Sequence, residues 1–217
     1  MSMQNVKVVL ELSTPAVVRE PIMLDGLLAY CLCEQGMSLD EALEAMPLKT
    51  NNLCGHRFFS ASRFIYRHVP AIPAIQTKRT PIQGLVEYSN GTRMVDAGRG
   101  SAKSFFNPIA MHHIHYAVAY CVGDLASIHE LVQGITSFGG MRHSGYGKVI
   151  SAKAVACEHD YSTYINDCLV RPIPAEIGDA DVVAGIAPPY WDRATWIPVL
   201  MPDQKNPRTG DENELLY

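Results

Sequence analysis

Residues 138–149 read FGGMRHSGYGKV, with four glycines in nine positions and Arg142, His143 and Lys148 among them. Glycine adopts positive φ at little cost and carries no Cβ, so such a stretch lets the main chain pass close to another group. What flanks it decides the fold. On one side, residues 124–135 (DLASIHELVQGI) place Leu125, Ile128, Leu131 and Val132 at helical spacing behind Asp124, a residue suited to an N-cap. On the other, residues 148–157 (KVISAKAVAC) alternate as a strand does. The loop therefore leaves a helix and enters a strand. A phosphate-binding P-loop runs the other way, from strand to helix. The spacing Gly140-x-x-x-x-Gly145 imitates that motif, but Tyr146 and Gly147 precede Lys148, and Val149 stands where a magnesium-binding hydroxyl is needed.

Working outward, residues 111–122 (MHHIHYAVAYCV) read as one long strand, with His113 and His115 on the face of Ala117, Ala119 and Cys121. Residues 6–12 (VKVVLEL) form a first strand. Ile22–Gln35 follows with apolar residues at helical spacing and Gly36 as its stop, and Ser38 with Glu41 supplies a capping box for residues 38–46 (SLDEALEAM). Residues 49–105 show no sustained period. The order is that of an α+β, ferredoxin-like βαββαβ core if this middle segment supplies the second strand. The expected layout is a single domain over 1–217: a core at about 4–48 and 106–160, an insertion at 49–105, and an extended proline-rich C-terminal segment at 161–217 that wraps the core through Trp191 and Trp196.

The net charge of −4 argues against a polyanionic partner until its distribution is read. Residues 49–105 hold 9 of the 18 basic side chains and 2 acidic ones, whereas residues 158–217 hold 4 basic against 11 acidic. Clustered Lys and Arg on an otherwise acidic chain point to one anionic partner at one place. Arg57, Arg63, Arg67, Lys78, Arg79, Arg93, Arg99 and Lys103 are the candidate phosphate contacts. Phe58, Phe59, Phe64 and Tyr66 lie between several of them as stackers of bases or as core. The six cysteines show no C-x-x-C spacing and read as free, small hydrophobes. No stretch has the length of a membrane span and residues 1–9 lack a signal core, which gives the expectation of a cytoplasmic protein without membrane contact.

The glycine-rich loop between the second helix and the last strand resembles the signature of the RAMP superfamily of CRISPR-associated RNA-binding proteins. The run LDGLLAY at 24–30, after a first strand, resembles the opening of the small RAMP subunit of type IV CRISPR effector complexes. That subunit is the counterpart of the one that caps the five-prime handle of the guide RNA in type I complexes, and Arg171-Pro172-Ile173-Pro174 is compatible with it. The resemblance implies a non-catalytic, cofactor-free subunit of an antiviral-defence ribonucleoprotein. Its partners would be the repeat-derived handle of the guide RNA, a backbone RAMP subunit, a large subunit that it helps anchor for target recognition, and the target DNA duplex. Gly139, Gly140, Arg142, His143, Gly145, Tyr146, Gly147 and Lys148 would then hold RNA together with the basic insertion. Some RAMP proteins instead cleave the guide precursor with a histidine acid or base, and here His143, Tyr146 and Lys148 would be that trio. A zinc hydrolase built on His113 and His115 lacks an HExxH motif and a nearby acidic pair, so no metal site is expected.

Overall fold

The structure, a computed structural model, describes residues 2–67, 70–78, 104–176 and 178–202. Its elements run β1 (Met3–Leu12), α1 (Leu24–Glu34), α2 (Leu39–Glu44), β2 (Thr50–Leu53), β3 (His56–Phe59), β4 (Ile72–Lys78), β5 (Phe105–Met111), β6 (Tyr116–Asp124), α3 (Leu125–Gln133) and β7 (Val149–Ala156). Five short strands follow: β8 (Tyr164–Ile165), β9 (Cys168–Leu169), β10 (Ile173–Pro174), β11 (Val182–Ala184) and β12 (Ile197–Leu200). Helices and antiparallel strands mix along the chain, as an α+β fold requires.

The central sheet has the order β6-β1-β7, antiparallel throughout. Strand pleating sends Val6, Val8 and Leu10 of β1 and Ala117, Ala119 and Cys121 of β6 to one face, where Leu24, Leu28 and Leu32 of α1 and Ile128 and Val132 of α3 cover them. The opposite face of β6 presents Val118 and Tyr120 to Ile65, Ile165 and Val170. Both faces of this strand are therefore buried. Its outer edge is taken by residues 60–65, which bond irregularly along it: Val122 N–H to Ser60 O at 3.0 Å, Ser62 N–H to Tyr120 O at 2.8 Å, and Ile65 N–H to Val118 O at 2.7 Å. Three isolated bridges do the work of a strand there, at Leu48, Ala61 and Ile65.

The helix ends follow the sequence signals. Gly36 takes φ of +98° and donates to Cys33 O, while Met37 N–H reaches Leu32 O, the paired bonds of a Schellman stop. Ser38 and Glu41 cap each other's backbone as expected. The Asp124 side chain accepts from the Ser127 amide and hydroxyl at the start of α3, and those bonds hold its carboxyl below its ordinary range. A lowered folded-state pKa gives support that is complete above the unfolded value and is lost as pH falls through the folded one. Asp124→Asn is thus expected to flatten the acid limb of the stability curve, read as midpoint denaturant concentration against pH.

Two expectations are corrected here. Residues 111–122 are not one strand: β5 ends at Met111 and β6 starts at Tyr116, with His112 bridged to Ala16 between them. The break turns Ile114 into the helix-side core and leaves Tyr116 exposed. β5 pairs with β4 as a two-stranded ribbon in the register Ile72↔Met111 to Lys78↔Phe105, so residues before 112 belong with the insertion. The C-terminal segment does pack on the core, but not through Trp191, which is 79% exposed. Its anchor is Arg171.

Arg171 is fully buried. Its guanidinium donates to the carbonyls of Phe59, Ala61 (3.0 Å) and Ile186 (2.6 Å), lies 4.7 Å from the centre of the Phe58 ring, and stands 3.8 Å from Asp25. The Tyr190 hydroxyl lies 2.8 Å from each Asp25 oxygen and donates to that carboxylate. Burial pushes the Asp25 carboxyl above its ordinary range, against the opposing pull of Arg171 and Tyr190. Residues from α1, the end of β3 and the C-terminal segment thus meet at one ionic knot. Among the described residues no helix is long and apolar enough to cross a membrane. All six cysteines are unpaired, and burial pushes the Cys31 thiol up to about 11, so it packs as an inert hydrophobe.

Candidate nucleic-acid interface

The site is built on a short segment, Ser13–Val18, that crosses between the insertion and the glycine-rich loop. In an extended backbone, successive residues offer their polar groups to opposite sides. Ala16 exchanges both of its backbone bonds with His112, at 2.9 Å each, and so holds the base of the β4–β5 ribbon. Pro15 and Val17 point their carbonyls the other way, where Gly147 N–H and Gly140 N–H donate to them at 2.8 Å each. Thr14 completes the clasp: its Oγ1 donates to Gly145 O at 2.9 Å and accepts from Lys148 N–H at 2.8 Å. Four consecutive residues, 14–17, therefore bring the ribbon and the loop side by side.

The glycines have definite local reasons. Gly139, Gly145 and Gly147 take φ of +91°, +84° and +63°. A Cβ on Gly139 would come 2.7 Å from Val17 O, and one on Gly147 would collide with the carbonyl oxygen of Phe138. Phe138 itself is buried and packs edge-on against Phe64 and Tyr66, with ring centres 5.2 and 6.3 Å away. Between Gly140 and Gly145 the chain makes one 3-10 turn, Arg142–Ser144.

Three of the four glycine amides of the loop face the protein itself. The amides of Gly140, Ser144, Gly145, Gly147 and Lys148 are all spent on protein acceptors. Gly139, Gly140 and Gly147 serve to seat the loop, and beside it Arg142, His143 and Lys148 are exposed and Tyr146 is half-buried. Arg142, His143, Tyr146 and Lys148 line one shallow cavity of about 440 Å³ with Thr136 and Ser137. A larger groove of about 880 Å³ adjoins it, between the loop, α1 and residues 17–20, and shares Arg142 and His143 with it.

The remaining candidates are scattered. Arg57 is exposed on β3 with its Nη2 3.5 Å from Thr50 Oγ1, and Arg67 is exposed. Arg63 is 7% exposed and lies inside the fold, its amide bonded to Val170 O. The side chain of Lys78, with Arg79, Arg93, Arg99 and Lys103, lies outside the described residues. Phe58, Phe59 and Phe64 are buried, so they are core residues and not base stackers; Tyr66 is half-buried against Phe138. His113 and His115 fall in the break before β6, which removes the strand spacing that made them a candidate metal pair. Among the described residues no group of three His, Cys, Asp or Glu could hold a metal ion.

Sequence reasoning missed two parts of this arrangement. Tyr30 lies under the Arg142 guanidinium, 4.7 Å from ring centre to Cζ, a contact across 112 positions that no local pattern reveals. Thr14 and Pro15, just past the first strand, are part of the clasp of the loop. No curated protein matches the chain. A family model described as CRISPR type IV associated protein Csf3 matches residues 71–202, from the ribbon through the glycine-rich loop to the end of β12 and well over half of the sequence, and the chain belongs to that family.

Proposed function

We propose that the chain is a non-catalytic RNA-binding subunit of a type IV CRISPR ribonucleoprotein that caps the five-prime handle of the guide RNA and helps anchor the large subunit for recognition of target DNA. In this reading β1, α1, the bridged segment 60–65, β6, α3 and β7 are the βαββαβ elements of a ferredoxin-like RAMP domain, and the β4–β5 ribbon begins its basic insertion. A backbone RAMP subunit adjoins it in the complex. Family membership supports the setting.

The observation that carries the proposal is the clasp at Pro15–Val17, which sets the base of the basic insertion beside the loop bearing Arg142, His143 and Lys148. A phosphate chain held at the loop meets Arg142 and Lys148 there, and clustered cations of that kind drive phosphate binding. Arg142 and Lys148 act as phosphate contacts, which position a strand without reading it. The joint variant Arg142→Ala/Lys148→Ala is expected to weaken binding of handle RNA and to flatten the log–log salt dependence by about 1.4, the loss of two contacts on a single strand. Filter binding of the assembled complex across a salt series measures it. An unchanged slope would remove the loop from the interface.

The cleavage alternative keeps one observation, the common cavity of His143, Tyr146 and Lys148. Incubating the chain with a full repeat RNA separates the two readings: bound but intact RNA supports holding, and cleavage that disappears in His143→Ala supports processing.

A further inference from the structure

The two adjoining cavities differ in chemistry. The smaller carries cations and no carboxylate. The larger carries Glu20 and Glu34 beside Arg19 and Arg142. Carboxylates repel phosphate, so the larger groove does not suit the strand's backbone; it suits a neutral group rich in N–H donors. Tyr30 and Glu34 lie four residues apart on α1 and so project from one helix face. The Arg142 guanidinium covers the Tyr30 ring, and Arg142 is exposed, which leaves its other face open to a second plane. A nucleobase stacked there would form a ring–guanidinium–base sandwich whose edge falls beside the next helical turn, where Glu34 stands.

A carboxylate accepts two parallel N–H bonds. Guanine alone among the four RNA bases presents two adjacent donors on its Watson–Crick edge, N1–H and the N2 amino group. Adenine and cytosine place an acceptor beside their amino group, and uracil flanks its one N–H with two carbonyls. Neither Glu20 nor Glu34 makes an ion pair among the described residues, so both can accept from a ligand. We propose that the groove between α1 and the glycine-rich loop is a guanine-reading site: an unpaired guanine of the bound RNA stacks on the face of Arg142 over Tyr30 and donates N1–H and N2–H to Glu34, while the edge of the Arg142 guanidinium and Lys148 hold the neighbouring phosphate. The site rests on the RNA-binding reading above and assigns it a base preference.

The test uses the full chain and three single-stranded probes: an all-uridine octamer, one with a single central guanosine, and one with inosine there, which lacks only the N2 amino group. The guanosine probe is expected to bind about tenfold tighter than the inosine probe, the discrimination of one good bidentate contact. Glu34→Gln is expected to abolish that preference while leaving uridine-octamer affinity and salt slope unchanged, whereas Tyr30→Ala, which removes the support beneath Arg142, is expected to weaken binding of all three probes. Equal binding of guanosine and inosine probes by the wild-type chain, with salt-dependent binding intact, would overturn the guanine site and leave RNA binding standing. No binding of any octamer would overturn both.

Discussion

Replacing Arg171 with methionine is expected to destabilise the fold by about 3–5 kcal/mol, the cost of breaking a buried ion pair from one side. For a chain of this size that is a fall in melting temperature of roughly 10 °C. The reason lies in what the guanidinium leaves behind. Asp25 is fully buried, and without Arg171 its carboxyl keeps the Tyr190 hydroxyl and backbone amides but no cation. The carbonyls of Phe59, Ala61 and Ile186 lose a donor in the same step. Leaving such groups buried costs more than the net worth of the bonds they made. The pair itself need not be stabilising: Asp25→Leu together with Arg171→Met is expected to recover much of the loss, because no charge is then stranded. A double-mutant cycle by chemical denaturation checks this, with a coupling energy well above 1 kcal/mol expected. Additive single losses would show that Asp25 and Arg171 do not depend on each other.

The second large effect falls on the loop. Gly147→Ala places a Cβ against the Phe138 carbonyl at a φ of +63°, in a position fixed from both sides by bonds to Pro15 and Phe138. Positive-φ strain and steric overlap together should cost about 3 kcal/mol, or unseat the loop. Gly145 offers the control. It also has positive φ, but a Cβ there meets nothing within 4 Å. Gly145→Ala is expected to lose only about 1 kcal/mol and to keep RNA affinity, whereas Gly147→Ala should lose both stability and affinity. Equal effects would mean that the glycines answer to backbone conformation alone and not to the close approach of the chain.

Local signals carried the sequence reading a long way. The capping box at Ser38, the N-cap at Asp124, the Gly36 stop and the alternation of β1 and β7 each have a physical cause within a few residues, and each sits where that cause puts it. Long-range contacts were hidden. Asp25 did leave a trace: Leu28, Ala29 and Leu32 lie three, four and seven positions on, so this carboxylate occupies the apolar face of α1 and requires a buried partner. That partner is 146 residues away, and nothing in RPIP marks Arg171 as the cation. The aromatic residues between the insertion arginines misled in the same way, since Phe58, Phe59 and Phe64 are drawn into the core by contacts with distant segments. In the loop, the glycines were recognised as a site of close approach, but the close partners are the protein's own carbonyls, Val17 O at Gly139 and Phe138 O at Gly147. Arg142, His143 and Lys148 stand exposed beside them.

Photo-crosslinking of a handle RNA bearing 4-thiouridine to the assembled complex, with the attached peptides read by mass spectrometry, tests the central claim most directly. Adducts within residues 136–148 and on α1 near Tyr30 are expected, and they should vanish in Arg142→Ala/Lys148→Ala. Adducts confined to the acidic C-terminal segment, or none on this chain while its neighbours are labelled, would contradict the assignment of the loop as the place where RNA is held.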